Sequence, residues 1–237
     1  MTKVAVITGG GTGIGAATAE ELAASGVSVV IIGRRPNPLH EVAERIRAKG
    51  GVAVDLPADI SDWKAIEQSA REVLDRFGQI DLLVPNASIH DVSLIADGDP
   101  LYWKELIEIN VVGLFNTVRA FLPSMLEHGS GHVIVVSSLS GRTTYVGEAT
   151  YVASKHAQVA WVDCLRQEVS PKGIRVTIVE PGMVETPMIE NEFAQELKKS
   201  VTPLDAVDCA RAIRFIFEQP ANCAINEWAM RPIQQLL

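Results

Sequence analysis

Short runs of Val and Ile alternate along the chain with longer stretches in which apolar residues recur every three or four positions. The runs are apolar at nearly every position, which is typical of strands covered on both faces in a parallel sheet. The longer stretches have the period of amphipathic helices. This pattern predicts strands at 3–8, 27–32, 51–56, 80–84, 132–137, 174–179 and 223–230, and helices at 14–25, 38–49, 62–77, 100–127, 150–169 and 205–218.

The order of these elements predicts an α/β protein with a doubly wound, seven-stranded parallel sheet and helices on both faces. Local signals support the helix boundaries. Asp99 stands before Pro100 as an N-cap before a first-position proline, and Ser61 and Asp62 open the next helix upstream. Nothing in the chain resembles a linker, so we expect residues 1–237 to form a single domain.

One long connection, about 183–204, separates the sixth strand from the last helix. It carries apolar residues that include Met183, Met188, Phe193 and Leu197. Long connections at the carboxyl edge of such a sheet often cover a ligand, so we expect a substrate lid. The alternative is a surface helix that packs on the body of the protein.

The first strand runs directly into "TGGGTGIG" (8–15) and then into a helix. Glycines at a strand-to-helix turn let the backbone approach a phosphate at the helix N-terminus. The expected phosphate-binding residues of this loop are Gly9, Thr12, Gly13, Ile14 and Gly15. The alternative is a flexible turn, but the flanking strand and helix favour a dinucleotide site.

The second strand ends in "IIGRRP", where an NAD-selective site would carry an acidic residue. Arg34 and Arg35 can pair with a 2′-phosphate, so the sequence favours NADP over NAD. The alternative is that both arginines are solvated surface residues. Asp59 and Ile60, after the third strand, are expected beside the adenine.

Further motifs follow in a fixed order: "PNAS" at 85–88, Asn110 in "EINVVG", Ser138 in "VVSSLSG", Tyr151 and Lys155 in "YVASK", and "PGMVET" at 181–186. With the glycine loop, they give the chain a resemblance to the short-chain dehydrogenase/reductase family over essentially its whole length. Pro85 and Ser88 depart from that family's usual NNAG segment, which puts the local backbone geometry there in question. The ending "INEWAMRPIQQLL" is similar to that of some NADP-dependent members that act on hydroxy acids and small alcohols.

The resemblance implies a Rossmann fold and a nicotinamide cofactor. It implies catalytic roles for Ser138, Tyr151, Lys155 and Asn110, the last by holding a water beside Lys155. An alternative for Asn110 is a helix-kink residue. The further cofactor-binding residues that it implies are Asn86, Ala87, Tyr151, Lys155, Pro181, Gly182, Val184 and Thr186.

Tyr151 and Lys155 are four positions apart and share a helix face. A nearby ammonium favours the phenolate, so we expect Lys155 to lower the pKa of Tyr151 and fit it for proton transfer. The predicted function is therefore interconversion of a carbonyl and an alcohol, in the cell as reduction if NADP is used. The substrate itself stays open. Candidate substrate contacts are Ser140, Thr144, Tyr145, Met183, Met188 and His90, the last with a surface-loop histidine as the alternative.

Composition narrows the partners. The net charge of −8 disfavours nucleic acid, which needs a basic face. Cys164, Cys209 and Cys223 lack metal-ligand or disulfide spacing, so we expect neither, and a cytoplasmic protein without a membrane segment. The resemblance implies a homotetramer, with a dimer next. Two alternatives remain: an NAD-dependent alcohol dehydrogenase, and a non-enzymatic NADP-binding redox sensor.

Overall fold

The computed structural model describes residues 2–189, 195–196 and 198–236. Seven strands form one sheet in the order β3-β2-β1-β4-β5-β6-β9, and every neighbouring pair is parallel. This confirms the predicted doubly wound architecture. The strands of this sheet are β1 (Val4–Thr8), β2 (Ser28–Gly33), β3 (Ala53–Pro57), β4 (Leu82–Val84), β5 (Gly131–Val136), β6 (Ile174–Pro181) and β9 (Glu227–Met230).

Six of the seven helices in the described part of the chain cover the two faces of the sheet. One face carries α1, α2 and the last helix, α7, and the other carries α3, α5 and α6, each with its own apolar core. The strands are therefore buried on both sides, as their near-continuous apolar sequence predicts. The helices are α1 (Gly13–Ala24), α2 (Pro36–Ala48), α3 (Trp63–Phe77), α4 (Pro100–Ile107), α5 (Gly113–His128), α6 (Ala149–Val169) and α7 (Ala206–Phe217).

The helix boundaries follow the sequence signals closely. The side chain of Asp62 accepts hydrogen bonds from the first N–H groups of α3, and Asp99 accepts one from Leu101 at the start of α4. Gly78 and Gly129 end α3 and α5 with positive φ angles, which glycine adopts at little cost. Ser61 is not the cap of α3; its hydroxyl donates to Asp59 instead.

The predicted helix 100–127 is divided by one turn of π-helix at Glu108–Val112. Periodicity does not distinguish this turn from α-helix, and such turns are frequent at functional sites. An 18-residue window of Pro100–His128 has a mean hydropathy of 1.3, which by length and composition would suffice to cross a membrane. Half of that window is buried inside the protein, which is the position of a core helix.

The connection 183–204 contains two short strands, β7 (Val184–Glu185) and β8 (Leu204–Asp205), which pair in parallel as a small second sheet. A 3₁₀ turn, Pro187–Ile189, follows β7. The pattern predicts neither feature, because two-residue strands are too short to show a period. Phe193 and Leu197, two of the expected lid residues, lie outside the described residues.

Candidate active site

The glycine loop joins β1 to α1 at the carboxyl edge of the sheet. Gly9 and Gly13 have φ angles of +66° and +53°, where other residues are strained. A Cβ on Gly9 would lie 2.8 Å from the Asn86 side-chain nitrogen, and a Cβ on Gly15 would overlap the Gly9 carbonyl oxygen. The turn therefore exists only with hydrogen at these positions. We expected Gly15 to contact the phosphate, but it is buried beneath the loop and is not among the residues that line the cleft there, so it contributes to the packing of the turn.

Thr8, at the end of β1, fastens this loop to the segment that follows β4. Its hydroxyl accepts hydrogen bonds from the backbone N–H groups of Asn86 (3.0 Å) and Ala87 (3.2 Å). The Asn86 amide donates to the Thr8 carbonyl at 3.0 Å. These bonds hold β1 and β4 together at the point where the strand order reverses, which is where ligands bind in this fold.

The departure at Pro85 and Ser88 is accommodated without strain. In the described residues no peptide bond is cis and no residue other than glycine has a positive φ, so Ser88 needs no glycine-like conformation. The carbonyl of Pro85 accepts a hydrogen bond from Val136 of β5 at 3.0 Å, which keeps the segment in line with the sheet.

A cleft of about 1060 Å³, which we call the glycine cleft, opens over the loop. Arg34 and Arg35 line its far end, and the Arg34 guanidinium lies 3.1 Å from the carboxylate of Glu105 on α4. The predicted residues that line this cleft are Gly9, Thr12, Gly13, Ile14, Arg34, Arg35, Asp59, Ile60, Asn86, Ala87 and Thr186.

A second cavity of about 1010 Å³, the tyrosine pocket, adjoins the first. Ile14, Asn86, Ser88, Thr186 and Met188 line both, so the two form one groove along the sheet edge. The predicted residues that line the tyrosine pocket are Ser138, Ser140, Tyr145, Tyr151, Lys155, Pro181, Gly182, Met183, Val184, Met188 and His90. Thr144 is exposed and is not among its lining residues, so that prediction is wrong; the neighbouring Tyr145 turns inward instead.

Ser138, Tyr151 and Lys155 meet in this pocket from β5 and α6. Ser138 follows the end of β5, and its hydroxyl accepts a hydrogen bond from Ser140 N–H at 3.1 Å. Tyr151 and Lys155 are 7% and 1% exposed, and the Lys155 nitrogen lies 5.4 Å from the centre of the Tyr151 ring. A phenol, a hydroxyl and an amine thus share one mostly apolar space, in which electrostatic interactions are strong.

Burial controls the ionisation of this group. It raises the pKa of Tyr151, against the effect of a hydrogen bond with Ser138, and it lowers the pKa of Lys155 to about 7. The direction for Tyr151 is opposite to the one that we expected from Lys155. The reason is that each group, when removed from water, favours its neutral form, and a neutral amine cannot stabilise a phenolate.

Asn110 lies in the π-turn and is fully buried. Its side chain accepts from Ile89 N–H and donates to the Ile89 carbonyl, both at 2.8 Å, and donates to Ser154 at 3.2 Å. Its backbone carbonyl accepts from Gln158 at 2.6 Å, and the Lys155 ammonium donates to Gln158 at 3.3 Å. Asn110 is therefore linked to Lys155 through Gln158, and its side chain fixes the loop after β4.

Three residues that the sequence analysis did not single out contribute to the site. Gln158 bridges Lys155 and Asn110, and Glu148 lines the tyrosine pocket one helical turn before Tyr151. Gln235 also lines that pocket, and its side chain accepts a hydrogen bond from Met183 N–H at 2.9 Å. The only signal for Gln235 was the "RPIQQ" ending. Nothing in the local pattern indicated the other two.

His90 lines the tyrosine pocket rather than standing on a surface loop. Its side chain is 13% exposed, and its ring meets the Tyr151 ring edge-on, with centroids 4.4 Å apart. The Tyr102 hydroxyl donates a 3.0 Å hydrogen bond to the His90 carbonyl, and this bond holds that part of the loop in place.

Residues 3–197 match the family model of the short chain dehydrogenases. The chain belongs to the short-chain dehydrogenase/reductase family. It is therefore an oxidoreductase that binds a nicotinamide cofactor and acts on small molecules.

Proteins that are similar to this chain match it over nearly its whole length. An uncharacterized oxidoreductase of Staphylococcus saprophyticus is 38% identical over 232 residues, 98% of this chain and 97% of the relative. A 3-ketoacyl-ACP reductase structure from Sinorhizobium meliloti superposes with a TM-score of 0.88 at 36% identity, covering 96% and 97% of the two chains. An alcohol dehydrogenase from Thermococcus sibiricus, complexed with 5-hydroxy-NADP, has a TM-score of 0.89 at 28% identity, covering 99% and 98%.

The residues of the glycine cleft fit such a cofactor. Asn86 and Ala87 lie beside Gly9, and Thr186 lies beside Gly13. A Cβ added to either glycine would contact these neighbours. The N-terminus of α1 points into the same cleft with Thr12 as its N-cap. A diphosphate at this position would meet free N–H groups and the positive end of the helix dipole.

Proposed function

We propose that this protein is an NADP-dependent oxidoreductase that interconverts a carbonyl and an alcohol, with Tyr151 as the general acid and base. The observation that carries the proposal is the position of Ser138, Tyr151 and Lys155 in the tyrosine pocket, which adjoins the glycine cleft along one groove. A substrate in the pocket would therefore meet a proton donor beside the groove that fits the cofactor.

In the reductive direction, Ser138 and Tyr151 hold the carbonyl oxygen by hydrogen bonds. A reduced nicotinamide cofactor held by the residues of the glycine cleft would supply the hydride that the carbonyl carbon accepts. Tyr151 donates its proton to the oxygen, so the C=O group becomes CH–OH. Its raised pKa in the protein favours the protonated phenol that this direction needs. The Lys155 ammonium, whose nitrogen lies 5.4 Å from the centre of the Tyr151 ring, can then return a proton to the phenolate, while Gln158 and the Asn110 carbonyl hold Lys155 in position.

The choice of NADP rests on the end of β2. Gly33 stands where an NAD site would have an acid, and both arginines line the cleft there. The structural neighbour from Thermococcus sibiricus, whose complex contains an NADP derivative, supports the same choice. Met183, Val184 and Met188, from the described part of 183–204, line the tyrosine pocket, which supports a role for that segment as a substrate lid. A homotetramer remains a prediction of the family resemblance, and a cytoplasmic location remains a prediction of the composition.

The test of the reaction is NADPH oxidation by the purified protein with a panel of aldehydes and ketones, wild type beside Tyr151→Phe. We expect turnover by the wild type and a loss of about 10²–10⁴-fold in the variant, because a positioned acid contributes that much. NADPH binding, measured by fluorescence titration, should change little. Wild-type protein that binds NADPH and reduces nothing in the panel would instead be the non-enzymatic sensor.

The test of the cofactor is the affinity for NADPH and NADH, wild type beside Arg34→Asp. We expect NADPH to bind at least about tenfold more tightly to the wild type, since a charge-assisted pair is worth about 1.5–3 kcal/mol. The acidic variant should remove that difference. Equal affinities in the wild type would favour the NAD-dependent alcohol dehydrogenase.

A further inference from the structure

Glu148 is an acidic group of the tyrosine pocket that the proposed reaction does not use. It precedes the first residue of α6, three positions before Tyr151, and its side chain is only 11% exposed. Within the described part of the chain, its carboxylate makes no capping hydrogen bond to the helix. It lies 3.3 Å from the Ser140 hydroxyl and 3.4 Å from the His90 ring nitrogen. A buried carboxylate with so few partners is stabilised by a further cation.

Apart from the His90 ring, which is a cation only when it is protonated, the described lining residues supply no such cation at this end. Among the described residues that line it, Glu148 is the one acid and Lys155 is the one lysine or arginine. Glu148 and Lys155 are seven positions apart on either side of Tyr151, which is about 10 Å along a helix. Lys155 is also turned toward Gln158. The end of the pocket beyond Tyr151 is therefore negative, and a substrate group that lies there meets a carboxylate.

Aromatic rings surround the same end. His90, Tyr145 and Tyr151 line the pocket, and the rings of His90 and Tyr151 are nearly perpendicular, at 82°. Ring faces beside a carboxylate form the arrangement that recognises substituted ammonium ions, because the ring quadrupole and the acid both attract positive charge. The lining is otherwise mainly apolar, including Leu139, Met183, Met188 and Ile189, which suits the methyl groups of such an ion.

The reacting group and this acid are electrostatically coupled. Burial first, and then the negative charge of Glu148, raise the pKa of Tyr151. A cation bound beside Glu148 would offset that charge, and a second anion there would add to it. Glu148 contacts the His90 ring, and that ring packs against Tyr151, so the ammonium subsite lies beside the reacting group.

We propose that the tyrosine pocket selects carbonyl compounds, and the corresponding alcohols, that carry a substituted ammonium group close to the reacting carbon, with Glu148 as the residue that determines this specificity. The inference rests on the proposed function and names its substrate class. It also predicts that carbonyl compounds with a carboxylate at the same position, such as 2-oxo acids, are poor substrates, because they would face Glu148.

A pair of aldehydes of equal shape tests the proposal: trimethylammonioacetaldehyde and 3,3-dimethylbutanal, which differ only in nitrogen against carbon. At saturating NADPH, with concentrations corrected for aldehyde hydration, we expect the wild-type kcat/KM to be at least tenfold higher for the cation. In Glu148→Gln the ratio should fall to near one. Asp97→Asn, which removes an exposed carboxylate from the loop that carries His90, is the control and should keep the wild-type ratio.

A binding measurement tests the same point without turnover. Choline and 3,3-dimethylbutan-1-ol are the alcohols of the two aldehydes, and their Kd values with the NADP complex of Tyr151→Phe can be measured by calorimetry. We expect choline to bind at least tenfold more tightly, and Glu148→Gln in the same background to remove the difference.

The outcomes separate the two claims. If the neutral aldehyde is reduced as well as the cation, or if Glu148→Gln keeps the ratio, the ammonium subsite is wrong while the proposed reaction stands. If no carbonyl compound is reduced, the proposed function fails, and the choline measurement decides the inference by itself: equal Kd values for the two alcohols would overturn it.

Discussion

The glycine cleft and the tyrosine pocket share one edge of the sheet, but different parts of the chain build them. The glycine cleft is made mainly of backbone: a turn of glycines, the first N–H groups of α1, and the Thr8 bonds that fix the segment after β4. The tyrosine pocket is made of side chains from several separate segments, which include the loops after β4 and β5, the start of α6, the connection after β6 and the C-terminal Gln235. A backbone site tolerates almost no added atoms, whereas a side-chain site can change its specificity one residue at a time.

The largest expected effect comes from a side chain added to the glycine turn of the glycine cleft. In Gly15→Ala the new methyl would collide with the Gly9 carbonyl, so the loop must shift and the affinity for NADPH should fall by about a hundredfold or more. Gly26→Ala is the control, since Gly26 lies outside the glycine cleft and a methyl there would meet no atom within 4 Å. Fluorescence titration measures both, and circular dichroism checks the fold. A Gly15→Ala protein that binds NADPH like the wild type would show that the turn is adaptable.

A substitution at Lys155 tests how far a buried charge in the tyrosine pocket destabilises the folded protein. The Lys155 pKa of about 7 lies below its ordinary value of 10.5, so below pH 7 the folded state carries the full penalty of a buried charge. As the pH rises from 7 toward 10.5, the folded state loses the proton first and the penalty is relieved. Lys155→Met should therefore raise the Tm by at least about 3 °C at pH 6, or about 1 kcal/mol. The gain should shrink steadily toward pH 10.

Calorimetry at pH 6, 8 and 9.5 measures this difference. Lys104→Met is the control, because the Lys104 side chain is 72% exposed and carries no burial penalty. A Tm difference for Lys155→Met that does not change with pH, or a lower Tm at pH 6, would contradict a charge penalty at Lys155.

The smallest effect concerns Arg34, a side chain at the far end of the glycine cleft. Glu105 pairs with Arg34 at 3.1 Å, with both side chains about half exposed, and would compete with a 2′-phosphate for the guanidinium. An exposed pair is worth about 0–1 kcal/mol, so Glu105→Gln should raise the NADPH-to-NADH affinity ratio about two- to fivefold at low salt. Glu108→Gln is the matched control, because Glu108 pairs with Lys104 instead. An unchanged ratio in both variants would mean that the pair does not restrain Arg34.

The resemblance to the family anticipated most of the site because its motifs lie on regular elements. Ser138 follows β5 directly, and Tyr151 and Lys155 share one face of α6, so strand order and helical period suffice to bring them together. Thr144 and Tyr145 show where this fails. They are neighbours in a loop, and only tertiary packing decides that Tyr145 lines the pocket while Thr144 is exposed. The π-turn at Asn110 was also invisible, since one extra residue in a helical turn leaves the apolar period almost unchanged.

The sequence by itself determined the doubly wound sheet, the glycine turn and the positions of the phenol and the amine. These depend on local periodicity, on glycine conformations and on spacings within single elements. Only the tertiary structure decided that Glu148 faces His90 across the pocket, that Gln235 returns to Met183, and that burial rather than charge sets the ionisation of Tyr151. Those outcomes depend on distances between residues far apart in the chain and on the exclusion of water, which a linear pattern does not contain.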